Sequence, residues 1–104
     1  MKNTFDTLIK LYEEAIIRIS KRKSLTIDWT RYKSKYILDE EYHCIICNAI
    51  YFTCSKCPLQ YQPLITSSCL KHPTFISYIV YEKPILIKKI KERIKYLKTI
   101  RETL

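Results

Sequence analysis

Four cysteines in the middle of the chain have a spacing that suits a metal ion. One C-x2-C pair is followed, after a gap of six residues, by a second C-x2-C pair. Two residues between cysteines let both sulfurs of a tight turn point at one ion, and two such turns supply the tetrahedron that Zn2+ prefers. The spacing therefore predicts a zinc site held by Cys44, Cys47, Cys54 and Cys57.

Two residues farther along the chain compete for places in this site. Cys69 and His72 form a C-x2-H pair, so Cys69 in place of Cys44 is the main alternative and His72 is a further candidate ligand. An iron–sulfur cluster is the alternative to Zn2+, because bacterial ferredoxins also place a proline after their last cysteine, as in Cys57-Pro58. Their tighter cysteine spacing differs from the six-residue gap here, which favours zinc.

The sequence lacks the motifs of the common catalytic sites. It contains no glycine, which excludes a P-loop, a dinucleotide-binding turn and a G-x-S-x-G nucleophile elbow. A zinc deaminase needs His-x-Glu and Pro-Cys-x2-Cys, whereas here Glu40 and Glu41 precede His43 and Pro58 follows its cysteine pair. We therefore predict a structural metal site and no enzyme activity.

The chain is strongly basic, and its charge lies at the two ends. Lys and Arg total 19 against 10 Asp and Glu, a formal net charge of +9. Counted by segment, the net charge is +5 for residues 1–38, −2 for 39–66 and +6 for 67–104. A surface with this charge attracts polyanions. The alternative explanation is an AT-rich genome, which encodes a chain rich in Ile, Lys and Tyr without any selection for polyanion binding.

Residues 29–36 interleave basic and aromatic side chains, a pattern suited to nucleic acid. In a helix, however, Trp29, Tyr32 and Tyr36 fall on one face, which favours a core-facing role for the rings and leaves the basic residues for phosphate. The predicted nucleic-acid contacts are basic residues near the end of the first helix, in this segment and on the last helix: Lys21, Arg22, Lys23, Arg31, Lys33, Lys35, Lys88, Lys91 and Lys95.

Apolar residues at three- and four-residue steps predict two long helices that position these groups. The first spans residues 4–22, capped by Asn3 or Thr4 and ending in the basic run 21–23, and the second spans residues 84–103. Their apolar faces are Phe5, Leu8, Tyr12, Ala15 or Ile16, and Ile19 in the first, and Leu86 or Ile87, Ile90, Ile94, Leu97 and Leu104 in the second.

The segments between these helices carry weaker signals. Alternation over residues 25–29 suits a short strand, but we prefer a helix over about 28–37 with Asp28 as its cap. Apolar residues between Phe75 and Val80 predict another helix, ended by Lys83-Pro84. We therefore predict a mainly α fold: a single domain, residues 1–104, with a Cys-rich metal knuckle (44–72) between packed N- and C-terminal helices.

The cysteine pattern resembles that of a group of small proteins. Cys44-Ile45-Ile46-Cys47, Cys54-Ser55-Lys56-Cys57-Pro58-Leu59 and Cys69 are similar to the C-P-L-C…C-x2-C-P…C pattern of short, Cys-rich proteins of phages, archaeal viruses and plasmids. The resemblance covers roughly residues 25–82. It implies a mobile-element origin and a metal knuckle, and it supplies no activity.

Together these observations predict a small non-catalytic zinc-binding protein of a virus or mobile element that binds nucleic acid through basic helices. The partner is DNA, RNA or a host nucleoprotein complex. The alternative is a protein–protein effector, such as an anti-CRISPR-like inhibitor of a host defence or transcription complex.

The same sequence predicts an intracellular protein, placed in the host cytoplasm, with no membrane partner. Neither a signal peptide nor an 18-residue apolar run is present. The apolar stripe of residues 86–104 allows a homodimer, although Arg101 interrupts the heptad pattern.

Overall fold

The computed structural model describes residues 1–32, 57–59, 72–76 and 78–104. In chain order the described elements are helix α1 (Lys2–Ser20), strand β1 (Thr26–Asp28), the short helix α2 (Trp29–Tyr32), strand β2 (Val80–Glu82) and helix α3 (Lys83–Glu102). The fold is mainly helical, as predicted. Most of the predicted knuckle lies outside the described residues.

The two long helices pack against each other and form the core, which confirms the strongest sequence prediction. Apolar side chains at helical spacing bury one face of each helix, because this removes them from water without exposing backbone polar groups. The buried residues are Phe5, Leu8, Ile9, Tyr12, Ala15 and Ile19 on α1 and Leu86, Ile90, Ile94 and Leu97 on α3. Leu104, predicted for this face, is exposed beyond the end of α3.

The predicted start and end of the first helix are each displaced by two residues. Met1 occupies the N-cap without a side-chain hydrogen bond, so the predicted caps at Asn3 and Thr4 are wrong. Both residues lie inside the helix, and the Asn3 carbonyl accepts a hydrogen bond from the Thr7 hydroxyl at 3.0 Å. The helix ends at Ser20, so the basic residues 21–23 follow it instead of forming its last turn.

A two-stranded antiparallel sheet joins the chain after α1 to the chain before α3. Its register pairs Thr26 with Glu82, Ile27 with Tyr81 and Asp28 with Val80. A strand and a helix were the two structures considered for the segment that begins at residue 25. Both occur, because strand β1 is followed directly by helix α2. The predicted helix between Phe75 and Val80 is wrong, since residues 75, 76, 78 and 79 are not helical and Val80 begins strand β2.

None of the helices in the described part of the chain is both long enough and apolar enough to cross a bilayer.

Candidate nucleic-acid interface

Two of the predicted phosphate contacts, Arg22 and Arg31, meet at one cleft. The chain leaves α1 at Ser20, turns back through residues 21–25 into β1, and continues directly into α2. The residues after α1 and those of α2 therefore flank the same strand. The cleft between them has a volume of about 130 Å³, and its lining also includes the hydroxyl residues Ser24 and Thr26.

Arg22 is held in place by the core. Its Nε donates a hydrogen bond to the Tyr32 hydroxyl at 3.1 Å, and Tyr32 is buried. This contact uses one of the five N–H donors that a guanidinium carries. The side chain is therefore oriented along the cleft while the residue itself is exposed.

Arg31 reaches the same cleft from α2, whose first turn is fixed by Asp28. The Asp28 carboxylate oxygen Oδ1 accepts a hydrogen bond from the Thr30 N–H at 3.0 Å, which confirms the predicted cap. Asp28 also lines the cleft, so the lining carries two guanidinium groups against one carboxylate. Lys21 and Lys23 are exposed on either side of Arg22 in the sequence, so the surroundings are positively charged.

This arrangement suits a phosphate group. Arg presents a planar fork of donors that matches phosphate oxygens, and serine and threonine hydroxyls donate to the same oxygens. Among the described residues, neither histidine nor cysteine lines the cleft. The two guanidinium groups therefore give the cleft the kind of donors that an anion needs.

The aromatic residues beside the cleft belong to the core. Trp29 is 2% exposed and stacks on Tyr12 with the ring centroids 6.2 Å apart, and Tyr32 is also buried. The prediction that these rings face the core is confirmed for Trp29 and Tyr32. Tyr36, Lys33 and Lys35 lie outside the described residues.

The remaining basic candidates form a second surface on α3. Lys88, Lys91 and Lys95 are exposed, and their spacing places them in a row on one face of the helix. Within the part of the chain that the structure describes, this row does not line the Arg22–Arg31 cleft.

Of the candidate metal ligands, the described residues include Cys57 and His72. Cys57 is half-buried against the core, and Cys44, Cys47, Cys54 and Cys69 lie outside the described residues. Over residues 1–32, 57–59, 72–76 and 78–104, no three His, Cys, Asp or Glu side chains gather as a metal site would require. The ligand set stays a prediction.

The ring nitrogen Nδ1 of His72 contacts Thr74. Nδ1 accepts a hydrogen bond from the Thr74 N–H at 3.1 Å and lies 2.8 Å from the Thr74 hydroxyl. The ring stacks on Tyr96 with the centroids 3.8 Å apart. Burial, followed by the charge of Arg93, lowers the pKa of His72 and favours the neutral imidazole. Metal coordination through Nδ1 would require these bonds to Thr74 to be given up.

Arg93 is the neighbour that sequence reasoning missed. It is 5% exposed, its Nη1 donates to the Thr74 hydroxyl at 3.0 Å, and its guanidinium carbon lies 5.4 Å from the Tyr96 ring centroid. The sequence contained a signal for the burial of Arg93, because this residue follows Ile90 by three residues and precedes Leu97 by four. The helical period therefore places this cation on the apolar face.

Comparisons of the chain with protein-family models, with curated proteins and with solved structures find no match. The functional interpretation therefore depends on the chain's own residues.

Proposed function

We propose that this chain is a small non-catalytic protein that binds nucleic acid and holds a phosphate group in the cleft between Arg22 and Arg31. The observation that supports the proposal is the convergence of two arginines and two hydroxyl residues on one cleft. The net charge of +9 adds long-range attraction for a polyanion. The row of Lys88, Lys91 and Lys95 supplies a second basic surface for the same strand or for a neighbouring one.

Salt dependence of binding to labelled oligonucleotides tests this proposal. Each lost phosphate contact lowers the slope of log affinity against log salt by about 0.7 for single strands and about 0.9 for duplex. We expect Arg31→Gln to weaken binding and to reduce the slope by about that amount. Arg31 is the better position to change, because Arg22 also contacts Tyr32 and its replacement would disturb the core.

Lys10→Gln is the matched control. Lys10 is exposed on α1, about 15 Å along the helix from its end at Ser20, and its replacement removes the same charge. It should leave the slope unchanged. Equal effects of the two variants would indicate diffuse charge attraction, and an absence of binding at low salt would refute the proposal.

The proposal includes one Zn2+ bound by Cys44, Cys47, Cys54 and Cys57, supported by their paired spacing. We expect elemental analysis of protein purified without nickel to find one equivalent of zinc and no visible absorption. Cys57→Ser should lose the metal and lower the thermal transition, because zinc binding contributes directly to folding. Cys69→Ser is the matched control and should keep both. Iron with a brown chromophore would instead establish a cluster.

A protein–protein effector is the second candidate, favoured by exposed apolar side chains around the sheet. Leu25 is 85% exposed, Val80 61% and Ile79 58%. Exposed apolar groups of this kind are typical of protein interfaces. An effector would bind its target with much weaker salt dependence than a nucleic-acid complex shows, so the same titrations separate the two functions.

A further inference from the structure

The Tyr32 side chain reaches the cleft although its ring belongs to the core. The residue is 5% exposed, and it is also one of the residues that line the cleft. Its hydroxyl lies 3.1 Å from Nε of Arg22, an exposed residue of the same lining. The polar end of this side chain therefore lies at the cleft wall while the ring packs in the core.

The contact with Arg22 occupies the oxygen of this hydroxyl and leaves its proton available. A guanidinium carries donors and no acceptor, so the hydroxyl oxygen accepts in this bond. A phenol also has an O–H donor of its own. Over residues 1–32, 57–59, 72–76 and 78–104, the bond to Arg22 is the only hydrogen bond of this hydroxyl. A donor on a buried side chain costs free energy when it lacks an acceptor, and the cleft is the open space in which an acceptor can bind.

The same bond determines which donors Arg22 presents to the cleft. Its Nε is used by Tyr32, so the terminal nitrogens Nη1 and Nη2 remain with their N–H groups. Within the described part of the chain, neither of these nitrogens has a hydrogen-bond partner. The donors at the end of a guanidinium match the spacing of two oxygens of one phosphate. Arg22 and Tyr32 therefore present their remaining donors side by side.

We propose that the Tyr32 hydroxyl is a direct ligand of the bound phosphate: it accepts a hydrogen bond from Nε of Arg22 and donates its own proton to a phosphate oxygen. This inference rests on the proposed function and adds a binding residue to the site. Tyrosine hydroxyls are among the groups that contact phosphates in nucleic-acid complexes. Hydrogen bonds in a chain polarise one another, so a hydroxyl that accepts from a cation is a stronger donor to an anion.

An uncharged ligand of this kind differs from an arginine in its effect on salt dependence. The slope of log affinity against log salt reflects the phosphates that Lys and Arg neutralise, because these contacts release counterions. A hydroxyl neutralises no phosphate. Loss of the Tyr32 hydroxyl should therefore lower the affinity at every salt concentration and leave the slope unchanged, whereas loss of Arg31 should lower both.

Salt titrations of Tyr32→Phe with a labelled oligonucleotide test this inference. The variant keeps the ring in the core and should bind about 10- to 150-fold more weakly, the equivalent of about 1.5–3 kcal/mol for a hydrogen bond to a charged group, with an unchanged slope. Tyr81→Phe is the matched control. Tyr81 is also buried and its hydroxyl accepts from the Tyr78 N–H at 2.9 Å, but it is not among the described residues that line the cleft. Its replacement removes the same group and should leave the affinity within twofold.

The outcomes separate this inference from the proposed function. If Arg31→Gln reduces the slope but Tyr32→Phe leaves the affinity unchanged, the hydroxyl is not a ligand and phosphate binding stands. If Tyr32→Phe also reduces the slope by one contact, the hydroxyl only positions Arg22 and direct donation is refuted. If Tyr81→Phe weakens binding as much as Tyr32→Phe, the cause is a loosened core and the inference fails. If no oligonucleotide binds at low salt, both proposals are refuted. Circular dichroism and urea unfolding of each variant establish that the affinities compare folded proteins.

Discussion

Arg93 is buried on α3 without a carboxylate partner among the residues that the structure describes. Its Nη1 donates to the Thr74 hydroxyl, and its Nε is buried without an acceptor in that part of the chain. A buried cation costs free energy unless its donors are paired. The hydrogen bond to Thr74 therefore contributes more to stability than a surface hydrogen bond would.

Substitutions on the two sides of this bond should have unequal effects. Thr74→Val leaves the Arg93 donor unpaired, so we expect the free energy of unfolding to fall by about 1–3 kcal/mol. Arg93→Met replaces the buried charge with an apolar chain of similar length and should cost less than that, or stabilise. Urea unfolding of both variants and of the double variant measures the coupling. If Thr74→Val costs as much without Arg93 as with it, the bond is not the cause.

The candidate site was only partly predictable from its residues. From charge alone we predict Arg22 and Arg31 as phosphate contacts, and this stays a prediction. Helical spacing correctly predicted that Trp29 and Tyr32 face the core. That the two arginines share a cleft depends on the chain reversal between α1 and β1, which no local pattern encodes.

At the scale of elements, Lys83 joins the start of α3 to the end of α1. Its Nζ donates to the Ser20 carbonyl at 3.0 Å and to the Arg22 carbonyl, and its backbone N–H donates to the Leu25 carbonyl at 2.9 Å. A cation at a helix C-terminus interacts favourably with the helix dipole and with the last free carbonyls. This residue therefore also fixes the turn that carries Arg22.

Removing the ammonium group should loosen this junction. We expect Lys83→Met to lower the free energy of unfolding by about 0.3–1 kcal/mol, because the side-chain contacts with α1 are lost while the backbone bond is kept. Lys98→Met, at an exposed position on the same helix, should change the stability by less than about 0.5 kcal/mol. Urea unfolding at low salt measures both. Equal losses of stability in the two variants would mean that Lys83 contributes only a positive charge and not its specific contacts with α1.

The elements themselves differ in how far local sequence determines them. The long helices were predictable because their apolar residues repeat over about five turns. Strand β2 was predicted as helix, since three residues are too few for a period and Val80 fits either pattern. Its pairing with β1, more than fifty residues earlier in the chain, decides the outcome, and strand preference depends strongly on such context.

At the scale of the whole molecule, α1 and α3 run antiparallel and are tied at both ends. Lys83, at the start of α3, contacts the end of α1, and Arg101, near the end of α3, contacts Asp6 in the second turn of α1. Arg101 donates from Nε to Oδ1 at 2.7 Å and from Nη2 to Oδ2 at 3.1 Å. Arg101, which interrupts the heptad pattern of the last helix, therefore forms an ion pair within the chain.

This ion pair makes the stability of the molecule depend on pH in a defined window. The hydrogen bonds from Arg101 lower the pKa of the Asp6 carboxyl below its ordinary value of 3.8. Above pH 5 the carboxyl is ionised in folded and unfolded chains alike, and the pair contributes fully. As the pH falls below 3.8 the unfolded chain binds the proton first, so this contribution is lost as the pH passes through the lowered pKa of the folded state.

Asp6→Asn tests the pair by thermal unfolding across this range. The wild type should be the more stable protein at pH 6 and low salt, by the modest amount that an exposed pair contributes. The difference should shrink as the pH falls through the lowered pKa of the folded state and the Asp6 carboxyl becomes uncharged. It should also shrink in 1 M salt, where the Debye length falls to about 3 Å. Glu102→Gln, an exposed acid next to Arg101 in the sequence, is the matched control and should not reproduce the pattern. A difference that does not shrink as the pH is lowered would show that Asp6 acts through its shape and not through its charge.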